Sequence, residues 1–297
     1  MNLKITKYIP FIGMAFLLFL VQLIAVALSE PFEVNDIKAF SNPEATSNVL
    51  WWVAIILVFT VFILIIVKMN KKWIIQAFIL FTVFSTLNYV FFAIFSMFLP
   101  LEINIFLTIA LSIALTIFLY KFPEWYVVDI TGVIIGAGAA SIFGISLAII
   151  PTLLLLVLLA VYDYIAVYRT KHMIALAEGV MDLRLPILLV IPKHWSYSFL
   201  TDKFDKEERE AFFMGLGDVV MPTILVISAN TFRAGSIPLL GAVNIPAVGA
   251  MLGTFVGFSI LMVLVIKGKP QAGLPFLNGG AILGYVAGSL ITGSPIL

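Results

Sequence analysis

The sequence predicts an all-α polytopic membrane protein, one membrane domain (1–297) of nine transmembrane helices. Three observations predict it. The chain is 62% apolar and only 11% charged, against roughly a quarter charged in soluble proteins. It holds nine apolar runs close to the roughly 20 residues that a bilayer crossing needs. If those runs alternate across the membrane, fifteen of the seventeen Lys and Arg fall on one side, a bias of the kind that orients membrane helices.

The runs cover about residues 8–28, 49–67, 73–99, 103–120, 126–143, 146–168, 211–228, 239–266 and 272–293. The apolar part of the first exceeds a signal-peptide core of about 7–15 residues, so it reads as a retained span. The fifth and sixth are separated by a tight turn near Gly144. The ninth is interrupted by Pro275 and Gly279-Gly280, which predicts an irregular start. Spans one to six thus fill 1–168, a cytoplasmic loop fills 169–210, and spans seven to nine fill 211–297. The charge split places the protein in the cell membrane with its N-terminus cytoplasmic and its C-terminus external.

Two loops are long. The external one, about 29–48, is acidic through Glu30, Glu33, Asp36 and Glu44. The cytoplasmic one opens with a predicted helix at 171–182. It continues as a β-rich stretch, 187–191, between Pro186 and Pro192, and ends in a mixed-charge segment from Asp202 to Glu210. Lys171, Lys193, Lys203, Lys206 and Arg209 read as a surface facing lipid headgroups. No tandem repeat is visible, which disfavours inverted-repeat transporters.

Composition also excludes. Sixteen acids against seventeen bases give no field for a nucleic-acid partner. Without cysteine there is no disulfide, thiol nucleophile or cysteine-bound metal. The only histidines, His172 and His194, lie in a polar stretch, so neither metal nor cofactor is expected.

Two carboxyls stand out. Asp163 lies in Val161-Tyr162-Asp163-Tyr164 on the sixth run, and Asp218 closes Gly215-Leu216-Gly217-Asp218 on the seventh. Ionisable groups at membrane depth are costly and mark functional sites by default. The two spans are consecutive and antiparallel. Counted from Arg169 and from Glu210, the acids sit roughly 9 and 12 Å below the same face at 1.5 Å per residue. Adjacent helices would bring them to one level; the bland alternative is two unrelated acids, each satisfied separately. Gly215 and Gly217 clear space before Asp218, Tyr162 flanks Asp163, and Pro222 loosens the following turn. Asp129, beside Pro123-Glu124-Trp125, reads as an interfacial acid.

Tyr162-Asp163 on one span with Gly215-Leu216-Gly217-Asp218 on the next resembles the GxGD intramembrane aspartyl proteases, the presenilin and signal-peptide-peptidase group, and above all its compact archaeal homologues. The resemblance implies a presenilin-like nine-span fold with these aspartates catalytic on spans six and seven. It implies that a third motif, Pro-Ala-Leu, opens the last span beside them. Here that position reads Ala272-Gly273-Leu274 followed by Pro275, departing at the first two residues. The predicted orientation is that of the presenilin branch.

The chemistry implied is intramembrane peptide hydrolysis by a two-aspartate general acid/base mechanism. Two carboxyls a few Å apart hold one proton between them. One activates a water; the other polarises the carbonyl and protonates the leaving nitrogen. The partners are transmembrane-helix proteins or peptides within the lipid bilayer, and a substrate helix must unwind before attack. The 187–191 stretch is suited to pair with the unwound strand or to anchor its loop. Glycines at 249, 253 and 257, and at 280, 284 and 288, form stripes for helix packing. The alternative function is a proton- or ion-coupled transporter using the same buried carboxylates.

Overall fold

In the computed structural model the described residues are 9–69, 72–170, 188–194, 197–199, 210–233, 238–240, 243–266 and 271–297. Among them are nine helices: α1 (Ile9–Val34), α2 (Ser47–Lys68), α3 (Lys72–Ser96), α4 (Leu101–Lys121), α5 (Trp125–Ser146), α6 (Ile149–Ile165), α7 (Leu216–Phe232), α8 (Ile245–Val265) and α9 (Leu274–Thr292). Eight are long and apolar enough to cross a membrane, α6 by running on through a π-helical stretch to Arg169; α7, at 17 residues, is a shorter apolar helix. The predicted helix at 171–182 lies outside the described residues.

Several boundaries differ from the sequence reading, among them the start of the eighth helix, which waits until Ile245 because Pro238–Leu240 and Val243–Asn244 are strands. The first helix runs on to Val34 through Pro31, which shortens the acidic loop. The turn between α5 and α6 falls at Leu147–Ala148, not at Gly144. Gly144 stays helical because it is a contact point: a methyl group there would run into Ile227 of α7. The seventh helix starts at Leu216, because Ala211–Gly215 form a strand (β2) against Leu188–Pro192 (β1). The ninth starts regularly, since Pro275 occupies its first turn, where the missing N–H has no partner to lose.

The strands are antiparallel, pairing Leu188 with Gly215 and Pro192 with Ala211. The Lys193 N–H donates to the Glu210 carbonyl at 2.9 Å. By alternation along the ladder the Val190 N–H then points away from β2. There it donates to Asp129 Oδ1 of α5 at 2.7 Å. Glu124, at the N-cap of α5, takes the Ser198 hydroxyl at 2.6 Å and the Phe199 N–H at 3.0 Å. A second short ladder, β3 (Pro238–Leu240) with β4 (Val243–Asn244), leads into α8.

The core gathers around α1, α5 and α7, where Leu18, Val21, Ala137, Ala140, Val219 and Ile224 are buried together. A second cluster joins α6 and α7 to α8 and α9 through Leu156, Leu225, Ala250 and Tyr285. A third seats the β1–β2 ladder on α3, α4 and α5. The outer helices expose apolar side chains such as Phe106, Val256 and Leu283, as a lipid-facing surface requires. The most extensive helix contact is α8 with α9. Methyl groups at Gly249, Gly253 or Gly257 would strike the carbonyls of Gly284, Gly280 and Phe276. The glycine stripes are therefore an internal seam.

Candidate active site

Asp163 is buried near the end of α6, one turn before a π-helical stretch, Ala166–Thr170. Asp218 is the third residue of α7, half-buried. Its approach from a strand, not from a longer helix, is what brings it to this level. The carboxyl turns back over the start of its own helix: a methyl group at Gly215 would lie 3.3 Å from Oδ2. A helix N-terminus suits a carboxylate there. Pro222 follows one turn later inside α7 and removes the donor that would meet the Asp218 carbonyl.

The start of α9 brings the two acids together. The Leu274 N–H donates to Asp163 Oδ2 at 3.1 Å. Gly273 abuts Asp218, with its missing Cβ position 2.8 Å from Oδ2. Both carboxyls therefore contact one short segment, Gly273–Leu274. Ala272 is fully buried just before them. Gly273 and Leu274 thus occupy the same place as the motif residues that the sequence singled out, and Pro275 follows in the first helical turn.

The remaining predicted residues take lesser positions. Leu216 packs on α5, where a methyl group at Gly136 would touch it. Gly217 has no other atoms within 4 Å of its Cβ position, so the face before Asp218 stays open. Tyr162 is half-buried on the flank of α6. A cavity of about 130 Å³ reaches Asp218, Gly215, Gly273 and Gln271 between α1, β2 and α8. Asp129 is not part of this group; it is buried and engaged with β1.

Sequence reasoning missed Tyr168, Gln271 and Asn278. The Tyr168 hydroxyl donates to Gln271 Oε1 at 2.6 Å. Asn278 of α9 is buried and donates to the Leu156 carbonyl of α6 at 3.0 Å. A polar side chain one turn past Leu274, in an otherwise apolar helix, was the available signal for Asn278.

The family model for signal-peptide peptidase and presenilin aspartyl proteases matches residues 14–294. Two crystal structures of a presenilin family intramembrane aspartate protease are similar to the chain. In space group C222 the identity is 40% and the TM-score 0.72, covering 95% of this chain and 100% of that one. In space group P2 the identity is 40% and the TM-score 0.71, covering 96% and 99%. No curated protein matches the chain. Nothing in these matches supports a transporter. With nearly its whole length matched, the chain belongs to the signal-peptide-peptidase and presenilin family and is an intramembrane aspartyl protease.

Proposed function

We propose that Asp163 and Asp218 are the catalytic carboxyls of this protease. The observation that carries the reading is their convergence on Gly273 and Leu274. The pair shares one proton and titrates as a unit. Its ionised member takes a proton from water as that water attacks the peptide carbonyl. Its protonated member hydrogen-bonds the carbonyl oxygen and then delivers its proton to the leaving nitrogen. The open face at Gly217 admits the substrate backbone, and the first turn of α9 limits it opposite.

A transmembrane substrate must expose its scissile bond by unwinding. Strand addition to the β1–β2 ladder gives the freed backbone groups partners. The sequence pointed to 187–191 for this role, but β1 is engaged by Asp129 on its outer side at Val190. The strand that receives the substrate is β2, which has β1 as its one strand neighbour among the described residues and runs into Gly215. The distribution of Lys and Arg puts the ladder and the dyad at the cytoplasmic side, with the N-terminus cytoplasmic and the C-terminus external.

The test is cleavage of a single-span substrate by purified protein, with Asp163→Asn and Asp218→Asn in parallel and products identified by mass spectrometry. Both variants should fold and neither should cut. Cleavage retained by either one removes that residue from the mechanism.

A further inference from the structure

Tyr168 follows Asp163 by five residues, and the helix changes its winding between them. In an α-helix, positions five apart point roughly 140° away from each other. In the π-helical turn Ala166–Thr170 the bonding runs i→i+5, which draws such positions toward one face. The phenol of Tyr168 is thereby turned to the side on which Asp163 meets α9. Its hydroxyl donates to Gln271 Oε1 at 2.6 Å and lies 3.4 Å from the Ala272 N–H, which donates to it. The ring of Tyr164 packs against that of Tyr168, centroids 4.9 Å apart.

The run Gln271–Leu274 is therefore tied to α6 at both ends, by Tyr168 at Gln271 and Ala272 and by Asp163 at Leu274. Gly273, between those ties, touches Asp218. Any slip of this run moves the donor on one carboxyl and the wall of the other together.

We propose that Tyr168, through Gln271, is a positioning residue for the reaction, holding Gln271–Leu274 in place over the two carboxyls. The inference rests on the reading of Asp163 and Asp218 as the catalytic pair. Tyr168 acts through the segment and not on the substrate. It is 40% exposed, so Tyr168→Phe keeps the ring packing and removes only the hydroxyl.

The experiment measures kcat, KM and unfolding temperature on the full chain in detergent with a single-span substrate. The variants are Tyr168→Phe, Gln271→Leu, the two combined, and Asp163→Asn. Each single change should lower kcat roughly tenfold, as small misplacements of reacting groups do. KM should stay within about twofold and the unfolding temperature should not move. The double variant should lose no more than Tyr168→Phe alone, because that change already removes the tie to Gln271 along with the one to Ala272. Full kcat in Tyr168→Phe, a loss confined to KM, losses that multiply, or a loss tracking a lowered unfolding temperature would each overturn the proposal. Cleavage by Asp163→Asn would instead sink the catalytic pair itself, whatever the tyrosine does.

Discussion

A methyl group placed on Gly273 would stand 2.8 Å from Oδ2 and 2.9 Å from Cγ of Asp218: one small volume is shared between a glycine and a carboxyl. The backbone there, φ −77° and ψ −46°, suits any residue, so the constraint is space alone. Gly273→Ala should shift the Asp218 carboxyl, the free end of a side chain, and lower kcat severalfold at most, with the fold retained, since the family motif carries alanine at this position. Gly273→Val should abolish cleavage. Undiminished kcat in Gly273→Ala would show that Asp218 has a second working position.

Gly217 poses the opposite case, since no other atom approaches its Cβ position within 4 Å. Gly217→Ala should leave the unfolding temperature unchanged or slightly higher, alanine being the better helix former by up to about 1 kcal/mol. Its methyl group should stand where the substrate backbone passes and raise KM severalfold. A KM equal to the parent's would mean that the substrate does not use this opening.

The Val190 N–H depends on Asp129 for its acceptor. Asp129→Ala leaves that donor buried without a partner, at a cost of about 1–3 kcal/mol, and unseats β1 from α5. Asp129→Asn keeps an oxygen in reach and should cost less than Asp129→Ala. Thermal unfolding of the two variants separates a lost acceptor from a lost charge: equal destabilisation would point to the charge.

The α8–α9 seam is the third place where a single methyl group decides. At Gly253 it would strike the Gly280 carbonyl and come within 2.9 Å of the Gly284 Cα. Gly253→Ala should force the helices apart and lower stability by about 1–3 kcal/mol, as overpacking does. Gly279→Ala, with nothing within 4 Å, is the control and should unfold at the parent's temperature or slightly above it, by the gain in helix propensity.

Much of this was legible in the sequence because hydrocarbon leaves a chain few choices. Nine apolar runs became nine helices among the described residues, and Asp163 and Asp218, on the sixth and seventh, both reach the start of the ninth. The glycine spacing of four residues named the α8–α9 seam. What the sequence hid is local. Ala211-Phe212-Phe213-Met214 precedes a helix and is apolar throughout, so periodicity cannot tell a short buried strand from one more helical turn. Asp129 looked interfacial because Glu124 is near, and its bond to Val190 joins positions 61 residues apart. Tyr168 was hidden by a change in helical winding, which leaves no mark in the order of side chains.

The glycine seam has a mechanical side. Where two helices meet backbone to backbone, neither can tilt or slide alone without driving a carbonyl into a Cα. α8 and α9 then move as one lever, and Leu274 stands at one end of it. Leu252, Val256 and Val263 on the outer face of α8 are exposed, so force from the surroundings is applied there. Through the backbone contacts at Gly249, Gly253 and Gly257, a displacement of that face is coupled to α9 and to the hydrogen bond that Leu274 makes with Asp163.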